Sequence, residues 1–154
     1  MSTFTCLSYH VVFSTKYRRN QITEPLQDRL YQYVGGIVRS QNGRLIEMGG
    51  IEDHVHILVS LSPSLAVSDA VRELKANSSK WMNELPETKT RFQWQKGYGA
   101  FTVSHSQIGK TQAYIRDQRE HHRTRSFNEE FIEFLRRHQV QYDPRYVFET
   151  DHFG

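Results

Sequence analysis

Residues 54–61 read His-Val-His-Ile-Leu-Val-Ser-Leu, and their alternation limits what the chain can fold into. Val55, Ile57, Val59 and Leu61 are apolar at every odd position, while His54, His56, Leu58 and Ser60 share the even ones. Side chains alternate across a β-strand, so this segment gives one face to a core and offers two imidazoles on the other. The Cα atoms of His54 and His56 would lie about 6.5–7 Å apart, two strand rises. Rings at that spacing can converge on one cation. They also fit the exposed face of a half-covered strand, so the pair does not by itself define a metal site.

Around this strand the chain alternates periods. Tyr9 to Thr15 reads as a first strand, with Val11 and Phe13 on one side and Val12 and Ser14 on the other. Thr23 and Pro25 open a helix carrying Leu26, Leu30, Tyr33 or Val34, and Ile37 at helical spacing. Asn42-Gly43 marks a turn, Leu45 to Met48 a short strand, and Gly49-Gly50 a break. After Pro63 a second helix places Val67, Val71, Leu74, Ser78, Trp81 and Leu85 on one stripe, with Arg72 and Lys75 on another, and stops at Pro86. Residues 86–99 read as a loop and Ala100 to Ser104 as a strand. A third helix is predicted from Ser106 or Gln107 to about His122. A fourth starts at the capping box Ser126-x-x-Glu129 and carries Phe127, Phe131, Phe134 and Leu135. The aromatic tail with Tyr142, Tyr146 and Phe148 should pack on the body.

The order β-α-β-β-α-β followed by two helices predicts an α+β, ferredoxin-like antiparallel sheet with helices on one face, the other face open, and additional C-terminal helices. At 154 residues and 37% hydrophobic, this fits one domain spanning 1–154. A single cysteine, Cys6, excludes a disulfide framework and a zinc–thiolate cluster. Neither an export signal nor a bilayer-length apolar run is apparent, so the expectation is a cytoplasmic protein without a membrane partner. The net charge of +3 permits nucleic-acid binding without demanding it. Lys110, Arg116, Arg119, Arg123 and Arg125 cluster late in the chain, and the acids Glu129, Glu130 and Glu133 form a separate patch.

Inside that basic region lies Tyr114-Ile115-Arg116-Asp117-Gln118. On a helix Tyr114 and Gln118 share a face, with His121 close to it and Ile108 and Ile115 marking the buried side. Read alone, this is an ordinary polar helix surface. Combined with His54 and His56 it becomes a workable machine. A phenol with a pKa near 10 is a poor nucleophile at neutral pH, but a cation can polarise a phosphate for it. Attack would give a phosphotyrosine ester and release a 3′ hydroxyl, and the ester would keep the energy needed to rejoin strands. The Gln118 amide oxygen is a candidate third ligand. The mixed nitrogen and oxygen set suits Mg²⁺ or Mn²⁺, with Mn²⁺ the tighter binder.

Four segments, in order, closely resemble the HUH-superfamily single-tyrosine transposases of minimal insertion sequences, the TnpA type. They are residues 9–19 (YHVVFSTKYRR), 53–59 (DHVHILV), 94–101 (WQKGYGAF) and 114–122 (YIRDQREHH). The resemblance implies metal-binding His54 and His56, a Gln118 ligand and a Tyr114 nucleophile. It implies cleavage and rejoining of single-stranded DNA beside a subterminal hairpin, through a 5′-phosphotyrosine. It also implies a homodimer joined at its sheet edges, each tyrosine helix acting in trans. Lys16, Arg18 and Arg19 are then DNA-contact candidates, followed by Arg72 and Lys75, and Gly109 is a candidate hinge.

Two other classes compete. A non-catalytic, domesticated binder of DNA or RNA hairpins would keep the fold and basic surface without needing a nucleophile. A metal hydrolase would use His54 and His56, with His121 and His122, around Zn²⁺ and an activated water, making Tyr114 dispensable.

Overall fold

The computed structural model describes residues 1–148. Strands β1 (Ser8–Ser14), β2 (Arg44–Ile51), β3 (His54–Ser60) and β4 (Gly99–Thr102) form one antiparallel sheet in the order β2-β3-β1-β4. This is the ferredoxin-like arrangement the element order predicts. Helices α1 (Glu24–Ser40) and α2 (Val67–Glu84) cover one face. Val11, Phe13, Val55, Ile57 and Val59 from the sheet meet Leu30, Val34 and Val38 from α1 and Val71, Leu74 and Met82 from α2 in the main core. The alternation that marked β3 as a strand thus also fixes which side faces the core.

The other face is not open. Helices α3 (Ile108–Arg116), α4 (Gln118–His121) and α5 (Phe127–Arg137) lie over it. Val12 and Phe101 of the sheet pack with Phe127, Phe134 and Leu135 of α5 in a second core, with Tyr142, Val147 and Phe148 against its rim. Tyr146 stays exposed. His54 and His56 are consequently fully buried, at 0% exposure. The cause is α5, whose apolar residues recur at helical spacing and need a partner surface, which the even face of the sheet supplies.

Two local expectations change as well. Gly49 and Gly50 lie inside β2 rather than breaking it. A Cβ on Gly49 would sit 2.3 Å from the Ile115 carbonyl oxygen, so the absent side chain is what lets α3 approach β2. The third helix is not continuous to His122. A 3-10 turn at His105–Gln107 leads into α3, and Asp117, with φ −93° and ψ 25°, separates α3 from α4. Gly109 sits within α3, so the interruption falls at Asp117 and not at that glycine. The predicted capping box is present, with Ser126 and Glu129 satisfying each other's backbone N–H groups. Among the described residues no helix is long and apolar enough to cross a membrane.

Candidate active site and metal centre

β1 and β3 are paired so that Ser14 faces His54, Val12 faces His56 and His10 faces Leu58. A two-residue turn after β2 sets Asp53 directly before His54. The Asp53 carboxylate accepts the Nδ1 hydrogen of His54 at 2.7 Å. His122, just past α4, gives its Nδ1 hydrogen to the Arg125 carbonyl, also at 2.7 Å. Nδ1 of His56 shares a hydrogen bond with Nε2 of His10 at 2.8 Å. Each of the three rings is therefore held from behind by a partner and presents Nε2 to a common centre, the usual support of a metal-ligating imidazole.

Two oxygens enter that centre. Gln118 Oε1 lies 3.0 Å from His54 Nε2 and 3.1 Å from His122 Nε2. Glu130 Oε1 lies 2.9 Å from His56 Nε2, 3.2 Å from His122 Nε2 and 3.5 Å from His54 Nε2. In the tautomer with hydrogen on Nδ1, which the Asp53 bond favours, Nε2 of His54 has only a lone pair to aim at the Gln118 and Glu130 oxygens, which are acceptors themselves. Acceptors gathered on acceptors call for a cation. The distances agree: atoms about 2.1 Å from one cation are roughly 3.0–3.4 Å apart in octahedral and tetrahedral shells. Ligand atoms of His54, His56, His122 and Glu130 all fall within 4.8 Å of one another. The residues present fit a divalent metal.

Ionisation is consistent with that. Burial pushes His56 down to about 4 and, helped by His56, His10 down to about 3, so both rings are neutral near pH 7. Burial would raise the Glu130 carboxyl, but hydrogen bonds from His122 and His56 outweigh it and hold the group well below the carboxylate range. Burial would likewise lower His122, yet its hydrogen bond to Glu130 leaves it raised.

Tyr114, on α3, points into the same centre. Its hydroxyl donates to Glu130 Oε2 and accepts a 2.9 Å hydrogen bond from Arg125. Burial, then Glu130, raises its pKa above the ordinary phenol range. The ring stacks on His121 at 4.4 Å. Thus His122 joins the histidine pair and His121 does not, because the Asp117 interruption and the end of α4 turn the two rings to different surroundings.

A buried histidine cluster facing a tyrosine on one sheet narrows the family, and sequence comparison decides it. The model of the family described as "Transposase IS200 like" matches residues 3–118. The chain belongs to the IS200-like transposase family. Relatives include the ISDra2 transposase TnpA of Deinococcus radiodurans, 31% identical over 117 residues that cover 73% of this chain and 84% of the relative. The transposase for insertion sequence element IS200 of Salmonella typhimurium is 32% identical over 121 residues, covering 73% and 76%. Among solved structures, one from Deinococcus radiodurans R1 assigned as a transposase superposes with a TM-score of 0.60 at 26% identity, over 77% of this chain and 95% of that one. A REP-associated tyrosine transposase bound to a REP hairpin shares the fold, with a TM-score of 0.55 at 16% identity over 75% and 70%. Single-tyrosine HUH transposases, inferred from the four sequence segments, are thereby supported as the group.

For an IS200-like transposase the remaining candidates fall in three places. Lys16 and Arg18 form a 3-10 turn after β1, where Tyr17 and Arg18 adopt left-handed φ values of 57° and 54°. Lys16 and Arg19 flank the Tyr17 ring at 5.4 and 5.3 Å, and Arg18 reaches Asn128 of α5 at 3.0 Å. This basic turn borders the histidine face. Lys75 is a structural tie, donating to the Gln95 and Gly97 carbonyls, and Arg72 pairs with Asp69 on its own helix. The late arginines are not a bare basic patch: Arg116 pairs with Glu47, Arg119 with Glu24 and Glu52, Arg123 with Glu120 and Arg125 with Glu133.

Sequence reasoning missed Glu130, Asp53, His10 and Arg125. Glu130 belongs to the acidic patch of the sequence, yet it is 1% exposed. The signal was its phase: Phe127, Glu130 and Phe134 are spaced at i, i+3 and i+7 on the buried stripe of α5.

Proposed function

We propose that this IS200-like transposase cleaves and rejoins single-stranded DNA next to a subterminal hairpin, through a covalent 5′-phosphotyrosine on Tyr114. The observation that carries the reading is the convergence of the Tyr114 hydroxyl with His54, His56, Gln118 and Glu130 on one buried centre. His54, His56 and Gln118 would hold Mg²⁺ or Mn²⁺, joined by His122 and Glu130. The cation would supply neutralisation of charge on the scissile phosphate. The chain's own residues do the rest. Tyr114 attacks the phosphorus, α3 and the stacked His121 hold its ring, and α5 excludes water from the histidine face. Lys16, Arg18 and Arg19 take the DNA backbone, and Arg72 offers a weaker contact.

A homodimer joined at its sheet edges, with tyrosine helices acting in trans, belongs to the same proposal. Tyr114 bonds Glu130 and Arg125 of its own chain, so action in trans would require α3 to leave those contacts. Mixing a Tyr114→Phe chain with a His56→Ala chain tests this: recovered cleavage means trans, and none means cis.

The mechanism is tested by incubating the protein with Mn²⁺ and a hairpin-bearing single-stranded oligonucleotide and resolving covalent adducts. Tyr114→Phe should abolish the adduct and His54→Ala should nearly do so. Cleavage that survives Tyr114→Phe would instead indicate a hydrolase using activated water. Hairpin binding without cleavage by the unaltered chain would indicate a domesticated binder.

A further inference from the structure

A second recess lies beside Tyr114. It encloses about 330 Å³ between the end of β4, the start of α3 and the end of α5, a size within the range of small-ligand sites. Phe134 and Arg137 line both this recess and the cleft at Tyr114. The Phe134 and Tyr114 rings are 5.7 Å apart, centre to centre, so a single ring separates the two spaces. Part of the lining is aromatic. The rings of Phe101, Phe134 and His138 stand within 28° of parallel, and His138 stacks on Phe101 at 4.4 Å. His138 is exposed, and the Phe134 carbonyl accepts its Nδ1 hydrogen at 2.9 Å, which fixes the ring. Ser104, Gln107 and Thr111 add polar side chains. Main-chain and hydroxyl bonds from Gln107 to Ser104 and from Thr111 to Gln107, both 2.9 Å, hold this turn. The Gln107 side-chain amide is left without a hydrogen-bond partner among the described residues. No carboxylate of the described residues lines the recess.

We propose that this recess binds the base of the nucleotide that stays on Tyr114 after cleavage, with His138 and Phe101 stacking on the base and Gln107 reading its edge. This rests on the reading of Tyr114 as the nucleophile. Phosphoryl transfer runs in line, with the attacking and leaving oxygens on opposite sides of phosphorus. The nucleotide kept through its 5′ phosphate therefore lies nearer the tyrosine than the one that leaves. A nucleobase is a flat ring with polar atoms on its rim. Unpaired bases are held by stacking on aromatic side chains and by hydrogen bonds to their edges. The recess offers near-parallel rings for the first and an uncommitted amide, with one acceptor oxygen and two donor hydrogens, for the second. Each base presents its own order of donors and acceptors, so a fixed amide favours some bases over others. Arg137 stands at the border of the two spaces, its guanidinium held by Glu133 at 2.6 Å, where the backbone joining phosphate to base would pass.

The test measures single-turnover adduct formation by the full chain with Mn²⁺ and a hairpin-bearing oligonucleotide whose single-stranded flank is randomised. Sequencing the protein-linked DNA gives the base just 3′ of the cut. The unaltered protein should favour one base there, and Gln107→Ala should reduce that preference by about fivefold or more. A second oligonucleotide, of the selected sequence, carries an abasic site at that position. The missing base should slow the unaltered protein about 5- to 150-fold, the worth of one stacked base, and slow His138→Ala by a factor at least threefold smaller. A variant damaged only in its fold would lose rate on both substrates alike. Equal use of the four bases by the unaltered protein overturns the proposal. So does a Gln107→Ala protein with the parent's preference, or a His138→Ala protein with the parent's abasic sensitivity. Where Gln107→Ala does not fold, Gln107→Glu, which keeps the size and loses the amide donors, must change the preferred base, or the proposal falls. Adduct formation by Tyr114→Phe, or none by the unaltered chain, would sink the nucleophile reading itself, an outcome distinct from an adduct formed without base preference.

Discussion

Asp53 touches no candidate substrate position, yet it decides what His54 can do. By taking the Nδ1 hydrogen it leaves Nε2 free to bind a cation. Removing such an outer partner generally weakens metal affinity 10- to 100-fold, so Asp53→Ala should weaken Mn²⁺ binding by that factor in a calorimetric titration while leaving the melting temperature of the cation-free protein nearly unchanged. Tyr31, on α1, carries a different consequence. Its buried hydroxyl has no hydrogen-bond partner among the described residues, and burial raises its pKa. A raised native pKa means the stability is intact below the unfolded value of about 10 and is lost as pH climbs past it, because only the unfolded chain ionises readily. Tyr31→Phe should therefore be neutral or stabilising by up to about 1–2 kcal/mol at pH 7, with a widening advantage between pH 10 and 11 in thermal melts. A Tyr31→Phe protein that melts lower than the parent at both pH values would contradict this.

At the scale of elements, the fit of α3 on β2 sets the position of Tyr114. Besides the Ile115 carbonyl, a Cβ at Gly49 would meet Ile115 Cγ2 at 2.9 Å. Gly49→Ala should cost about 1–3 kcal/mol by overpacking. It should also reduce adduct formation well beyond what that loss of stability explains, because α3 must move outward and take Tyr114 with it. Full cleavage activity in a folded Gly49→Ala protein would show that α3 tolerates the shift. The glycine pair stood out in the sequence, but its meaning did not. A break and a close approach both use glycine, and only the neighbour across the sheet distinguishes them. The Asp117 interruption was hidden for a similar reason, since residues 106–122 carry no proline and their one glycine sits elsewhere.

For the whole molecule, the segment after His122 is both a wall and a part of the site. Ending the chain there would remove Phe127, Phe134 and Leu135 from Val12 and Phe101 and expose the histidine face. Such a truncation should bind a hydrophobic dye and hold Mn²⁺ at least tenfold more weakly than the full chain. Unchanged Mn²⁺ affinity would mean that Glu130 lies near the cation without holding it. The sequence by itself determined the elements, the strand pairing pattern and the outward pairing of His54 with His56, because periods of 2 and 3.6 residues are local properties of the backbone. It also carried Tyr114 and Gln118, through ordered segments shared with a family. Only the tertiary structure decided that α5 covers the second sheet face, that His122 joins the cluster and not His121, and that Glu130 is buried in it. Glu130 and His56 stand 74 positions apart, and no local pattern encodes which carboxylate of an acidic run a distant sheet face will draw in. That choice comes from burying the aromatic stripe of α5, which carries Glu130 inward with it.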